Sequence, residues 1–267
     1  MKNPEIRTES ATVWGGRLKL DVQVAGTGPA LVYLHPAAGL AWDPFLFRLA
    51  EHRTVYAPEF PGTSAADRQA IHAVDDLWDL VLCYEEALGT LGLVGSAVIG
   101  QSFGGMLAAE LAAGFPALFS RVVLLAPAGL WRDDAPVWNW MTANPAELPG
   151  RLFHDPTCAG AKAMLTPPAD PNLAIAGQAA FIWALGCTGK FIWPIPEKGL
   201  HKRLHRVEAP TLVVWGENDA LIPSVHAHDF GRQIAGSRVE IISQCGHIPQ
   251  AEQPEKTWAL VSSFLGL

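Results

Sequence analysis

One stretch constrains this chain more than any other: Val98-Ile99-Gly100-Gln101-Ser102-Phe103-Gly104-Gly105, an apolar run that stops at a serine with a glycine two residues to either side. Met106 to Ala113 follows and is rich in alanine and leucine, the strongest helix formers. The reading is strand, tight turn, helix. Glycines at 100 and 104 allow neighbouring backbone to come close to a turn that a Cβ would crowd. This is the spacing of a nucleophile elbow, which presents the serine hydroxyl at the end of a strand.

The rest of the chain supports a parallel sheet around that turn. Leu18, Leu20, Val22 and Val24 alternate with Lys19, Asp21 and Gln23, the period-two pattern of a half-solvated antiparallel strand, and Gly15-Gly16 suits a hairpin from a strand over 6–14. Ala30-Leu31-Val32-Tyr33-Leu34 is instead continuously apolar, as strands buried on both faces are. A short helix over 43–52, a strand over 54–57 and a helix with apolar residues at 77, 80, 81, 84, 88 and 91 come next, the last capped by Asp75 or Asp76 and closed by Gly92. After the elbow helix come a buried strand over 122–125 and then, much later, a strand over 211–215, a helix over 224–234, a strand over 239–242 and a helix over 254–265. Strand and helix alternate, which implies right-handed crossovers.

Between Trp131 and Arg206 the alternation stops. Nine of the 21 prolines (136, 145, 149, 156, 167, 168, 171, 194 and 196) and five of the ten tryptophans (131, 138, 140, 183 and 193) fall there. So many prolines leave only short helices, the best of them over 171–185. The expected architecture is an α/β core over 1–130 and 207–267 with a helical cap inserted over 131–206.

Composition narrows the function classes. With 49% apolar and 17% charged residues in 267, the chain is globular and large enough for a substantial core. A net charge of −7 speaks against nucleic acid and anionic membranes as partners. No apolar run is expected to reach the roughly 20 residues of a membrane span. The first ten residues are polar where a secretory leader is apolar, and Cys83, Cys158, Cys187 and Cys245 are widely spaced, so four reduced thiols in a cytoplasmic protein are expected.

A serine hydroxyl needs a base to become a nucleophile, and a histidine base needs a carboxylate to fix its tautomer. Gly216-Glu217-Asn218-Asp219 and Gly246-His247 each follow a predicted strand, giving the order Ser102, Asp219, His247. In α/β-hydrolase sheets the triad follows this order. Glu217 is the weaker candidate for the acid, lying closer to the strand. His201 and His205, four apart, stand among Lys202, Arg203 and Arg206, a basic neighbourhood hostile to a metal ion. His226 and His228 are expected at the surface, and Cys245 as a small buried thiol.

With His35-Pro36-Ala37-Ala38-Gly39, Phe60-Pro61-Gly62-Thr63-Ser64, the Ser102 elbow, Gly216 to Asp219 and Gly246 to Glu255 in this order, the chain resembles an α/β-hydrolase-fold serine hydrolase over nearly its whole length. The resemblance implies Ser102 as nucleophile, Asp219 as acid, His247 as base and an oxyanion hole of backbone amides. Family members often carry His-Gly where this chain has His35-Pro36; proline has no N–H, so the donors should be Ala37 and Phe103. His35 is expected to brace this loop. Gln101 and Ala251 stand where carbon–carbon hydrolases of ring-cleavage products tend to carry asparagine and tryptophan, which favours ester or lactone cleavage over carbon–carbon cleavage. A receptor that keeps the triad without turnover is the reading of a different class. The expected substrate is a small apolar or aromatic molecule, met by Trp138, Trp183, Leu221 and Ile248, with no cofactor or metal, in a monomer or homodimer.

Overall fold

A computed structural model of the chain describes residues 3–142, 144–193 and 198–267; Pro194 and Pro196 lie outside these residues. Eight strands form one sheet: β1 (Arg7–Val13), β2 (Leu18–Ala25), β3 (Ala30–Leu34), β4 (Thr54–Pro58), β5 (Ser96–Gln101), β6 (Phe119–Leu125), β7 (Thr211–Gly216) and β8 (Arg238–Ile242). Their spatial order is β1-β2-β4-β3-β5-β6-β7-β8. β2 pairs antiparallel with β1 and β4, and every pairing from β4 to β8 is parallel. The alternating segment thus became the antiparallel edge, and the continuously apolar runs became the buried centre.

Within each central strand, successive side chains go to opposite faces. Val32, Leu34, Val98, Leu124, Val213 and Trp215 join the larger core, under α2 (Leu77–Thr90), α3 (Phe103–Gly114) and α7 (Val225–Gln233). Leu31, Tyr33, Ile99, Val123, Leu212 and Val214 join the smaller one, under α1 (Pro44–Ala50) and α9 (Pro254–Leu265). Of the two candidate caps for α2, Asp76 is the one whose carboxylate accepts the Trp78 and Asp79 amides.

Among the described residues, three α-helices lie between β6 and β7: α4 (Leu148–Leu152), α5 (Ala159–Leu165) and α6 (Pro171–Ile192). A short α-helix, α8 (Pro249–Glu252), follows the histidine loop. α6 runs seven residues beyond its expected end at Leu185. Its last two turns hold Thr188 and Gly189, which have little helix propensity, and burial of Ala184, Cys187, Thr188, Phe191 and Ile192 against the core overrides that preference. The expectation that no apolar stretch reaches membrane-span length is corrected here, because α6 is long and apolar enough by length and composition. Up to Gly189 its pattern is uncharged rather than continuously hydrophobic, with Asn172, Gln178 and several glycines and alanines interspersed, so it does not stand out as one block of large apolar residues.

Candidate active site

β5 delivers Ser102 into the turn before α3 with φ of 55° and ψ of −116°, a region that non-glycine residues occupy only under constraint. Hydrogen bonds over-determine the turn: the Ser102 amide donates to the Leu125 carbonyl (2.9 Å), and its carbonyl accepts the amides of Met106 and Ala128 (3.0 Å each). The loops after β7 and β8 bring the other two groups to the same place. His247 Nε2 lies 2.9 Å from Ser102 Oγ, and His247 Nδ1 lies 2.7 Å from Asp219 Oδ2. All three are nearly sealed from water, with 8% of Ser102, 2% of His247 and 6% of Asp219 exposed. Electrostatics act at close to full strength in such a place.

Asp219 is held by more than the histidine. Its Oδ1 accepts the Leu221 and Ile222 amides (2.9 and 2.8 Å), while Oδ2 accepts the ring N–H of Trp215 (2.9 Å) beside that of His247. Four donors fill the acceptor capacity of an ionised carboxylate. Glu217, the weaker candidate, is exposed. Trp215 was not anticipated as a partner of the acid; the signal available was a polar-tipped aromatic at the end of a wholly buried strand, four residues before Asp219.

Glu252 was also missed. Its carboxylate accepts the Gly246 amide (2.6 Å) in the histidine loop and the amides of Asp155 (2.6 Å) and His154 (3.2 Å) between α4 and α5. The His247 amide in turn donates to the Leu152 carbonyl (2.7 Å). The histidine loop is therefore tied to the helical insertion through backbone on both sides.

His35 is fully buried and joins two loops: Nε2 accepts the Phe60 amide (3.1 Å) and Nδ1 donates to the Pro36 carbonyl (2.8 Å). Both nitrogens are satisfied in the neutral ring. Burial lowers its pKa from 6.5 to about 4. Between those values the unfolded chain holds a proton that the folded one refuses, so stability is fully present above pH 6.5 and is lost as pH falls, by about 3 kcal/mol in all. Glutamine can accept from Phe60 and donate to Pro36 without titrating. In urea unfolding from pH 7 to 4, His35→Gln is expected to lack that part of the decline; parallel curves would show that His35 is not held neutral.

Phe103 is the first residue of α3, so its amide has no partner within the helix. Among the described residues neither it nor the Ala37 amide is spent on a turn or loop hydrogen bond. Thr188 of α6 donates toward the Ala37 carbonyl (3.2 Å), and the Phe191 ring stacks on that of Phe103 at 6.4 Å, so α6 touches both segments. Trp183 donates its ring N–H to the Gly62 carbonyl (2.7 Å). Trp138 is half-buried beneath the Arg151 guanidinium (5.1 Å), and its amide donates to the Leu221 carbonyl (2.9 Å). Ile248 packs in a small cluster with Phe153 and Ala161. Leu221, whose amide donates to Asp219, and Ile248, next to His247 in the chain, are both buried.

His226 corrects the surface expectation. It is buried, with Nε2 donating to the Ala135 carbonyl (2.9 Å), while Asp229 accepts Arg132 and Arg232. These contacts fasten the start of the insertion to α7. His228 is exposed, as expected. His201 and His205 are exposed in separate 3-10 turns, and Arg203 there grips the buried Glu110 carboxylate with two bonds of 2.7 Å. Among the described residues no cluster of three metal-ligating side chains occurs. Cys245 is buried, and burial first, with Glu252 and Asp219 adding, raises its pKa to about 12, which keeps the thiol protonated.

A strand–serine–helix turn, with the acid and histidine supplied by later strand ends in one mostly parallel sheet, defines the class of α/β-hydrolase-fold hydrolases. The chain belongs to the Alpha/beta hydrolase family, whose model matches residues 31–260. It is 26% identical to a 2-hydroxy-6-oxo-6-phenylhexa-2,4-dienoate hydrolase of Burkholderia cepacia, over 92% of this chain and 91% of that one. Among solved structures, a naproxen esterase from Bacillus subtilis superposes with a TM-score of 0.76 at 18% identity, covering 98% of this chain and 92% of that one. A bacterial membrane phospholipase A superposes at 0.77 with 22% identity, covering 98% and 86%. At these identities the two structures speak for the fold alone.

Proposed function

We propose that the protein is a serine hydrolase that cleaves a carboxylic ester or lactone of a small apolar or aromatic molecule through an acyl-enzyme. The observation that carries this reading is the unbroken relay from Asp219 Oδ2 through His247 to Ser102 Oγ, at 2.7 and 2.9 Å. His247 takes the Ser102 proton as Oγ attacks the acyl carbon, and Asp219 stabilises the resulting imidazolium. The Ala37 and Phe103 amides receive the oxyanion. His247 then protonates the leaving alcohol, activates a water and returns the proton to Ser102 as the acid departs. Turnover of an aryl ester, with one equivalent of a serine-directed phosphonate bound at Ser102, tests the assignment.

Carbon–carbon cleavage of a dienoic keto acid is the second reading, supported by the relative from Burkholderia cepacia. Gln101 and Ala251 weigh against it. Rates on a dienoic keto acid and an aryl ester, compared with one preparation, separate the two.

The segment 131–206 serves as a cap, and Trp138 and Trp183 from it, with Leu221 and Ile248 from the core, meet the substrate. Trp138→Ala and Trp183→Ala are expected to lower kcat/KM for an aromatic ester by roughly 10- to 200-fold relative to an acetyl ester. Equal losses on both esters with a lowered Tm would make these tryptophans the cap's own core.

A further inference from the structure

From Pro171 to Gly189 the chain has no charged residue and no histidine, a run of 19 within a protein of net charge −7. The structure makes the whole run helix, and its two halves differ sharply. The C-terminal half is locked to the core by Trp183 on Gly62, Thr188 on Ala37 and Lys190 on Ile71. The 12 residues from Pro171 to Ile182 are nearly all exposed.

This first half is not an amphipathic helix with one face turned outward. Leu173, Ile175 and Ile182 are 60%, 67% and 60% exposed. At 3.6 residues per turn, Leu173 and Ile175 point about 160° apart, on opposite sides. Leu173 lies on the same side as Ala184 and Phe191, which the core buries further along. The helix therefore projects past the body it is packed on. Met164 and Leu165 at the end of α5 are exposed as well.

A helix apolar on all sides is ordinarily buried on all sides. A second copy laid alongside covers only one side. The contact would be a strip about 20 Å long and about 10 Å wide, far short of the roughly 800 Å² per partner of a stable interface. An apolar medium covers every side at once. The free portion, about 20 Å long, is too short for a hydrocarbon core of about 30 Å. It can enter one leaflet and not cross. The charges set the kind of lipid: the run offers no lysine or arginine to anionic headgroups, and the protein as a whole is repelled by them.

We infer that the N-terminal half of α6 is a docking element for a lipid surface without net charge, into which it inserts without spanning. The inference does not depend on the reaction assigned to Ser102.

The test is flotation of the full chain with large unilamellar phosphatidylcholine vesicles, with and without one-fifth phosphatidylglycerol. Wild type is expected to float with the neutral vesicles and less well with the anionic ones. The triple variant Leu173→Glu, Ile175→Glu, Ile182→Glu should lose binding at least tenfold, and Ile175→Glu alone should lose part of it. Because these side chains are exposed, Tm and turnover of a water-soluble aryl ester should stay within twofold or a few degrees of wild type. No flotation of wild type, or equal flotation of the triple variant, overturns the inference. So does a wild-type dimer by light scattering that becomes monomeric in the triple variant without any flotation, which would make α6 a contact between copies.

Discussion

Ser102→Ala is expected to reduce kcat/KM on an aryl ester by on the order of 10⁴- to 10⁶-fold while leaving the circular dichroism and Tm unchanged. His247→Ala should cost as much, and the double variant no more than either, because nucleophile and base act as one unit. The surroundings of Asp219 make Asp219→Asn nearly as severe. Oδ1 accepts two backbone amides, so an asparagine keeps its oxygen there and turns its NH₂ toward the ring N–H groups of Trp215 and His247. Donor then faces donor. The imidazole must adopt the other tautomer, which places a proton on the nitrogen that should accept from Ser102, a loss of about 10⁴-fold. Kinetics of the single and double variants check the set; activity of Ser102→Ala within tenfold of wild type would remove the nucleophile from this position.

Gly104→Ala is expected to be strongly damaging. A Cβ at 104 would lie 2.0 Å from the Leu34 carbonyl oxygen and 2.6 Å from that of His35, both backbone atoms with no rotamer to escape through. Either α3 moves away from β3, carrying the Phe103 amide with it, or the fold gives way. A loss of about 3 kcal/mol or more is expected. Gly177→Ala is the matched control, since it sits inside α6 with nothing within 4 Å of the added carbon. It should stabilise by about 0.5 to 1 kcal/mol. Urea unfolding of both variants measures the contrast, and a Gly104→Ala protein within about 1 kcal/mol of wild type would mean that the elbow tolerates a methyl group.

The elbow and the order of the triad were legible because they depend on local rules. A serine presented at a strand end needs the glycines beside it, and the buried strands of a parallel sheet must be apolar on both faces, so both leave marks within a few residues. The extent of α6 was not legible in this way. Its last turns are helical because Thr188 and Phe191 pack on the loop of Ala37 and on Phe103, contacts made across 151 and 88 residues of chain. Nothing within the window 186–192 announces them.

The same division holds for the buried polar groups. From the sequence alone came the α/β class, the antiparallel edge, the helical insertion after β6 and the residues Ser102, Asp219 and His247 as a set. Tertiary structure alone decided that His226 is buried with its Nε2 on the Ala135 carbonyl, that Trp215 shares Asp219 with His247, and that Glu252 joins the histidine loop to the insertion. A helix wheel ranks residues by polarity, and histidine and glutamate rank as surface. Whether such a group is buried depends on whether a distant segment brings a carbonyl or an amide to satisfy it, because a buried polar atom is tolerated only with a partner. That partner is chosen by the fold, and a linear pattern does not encode it.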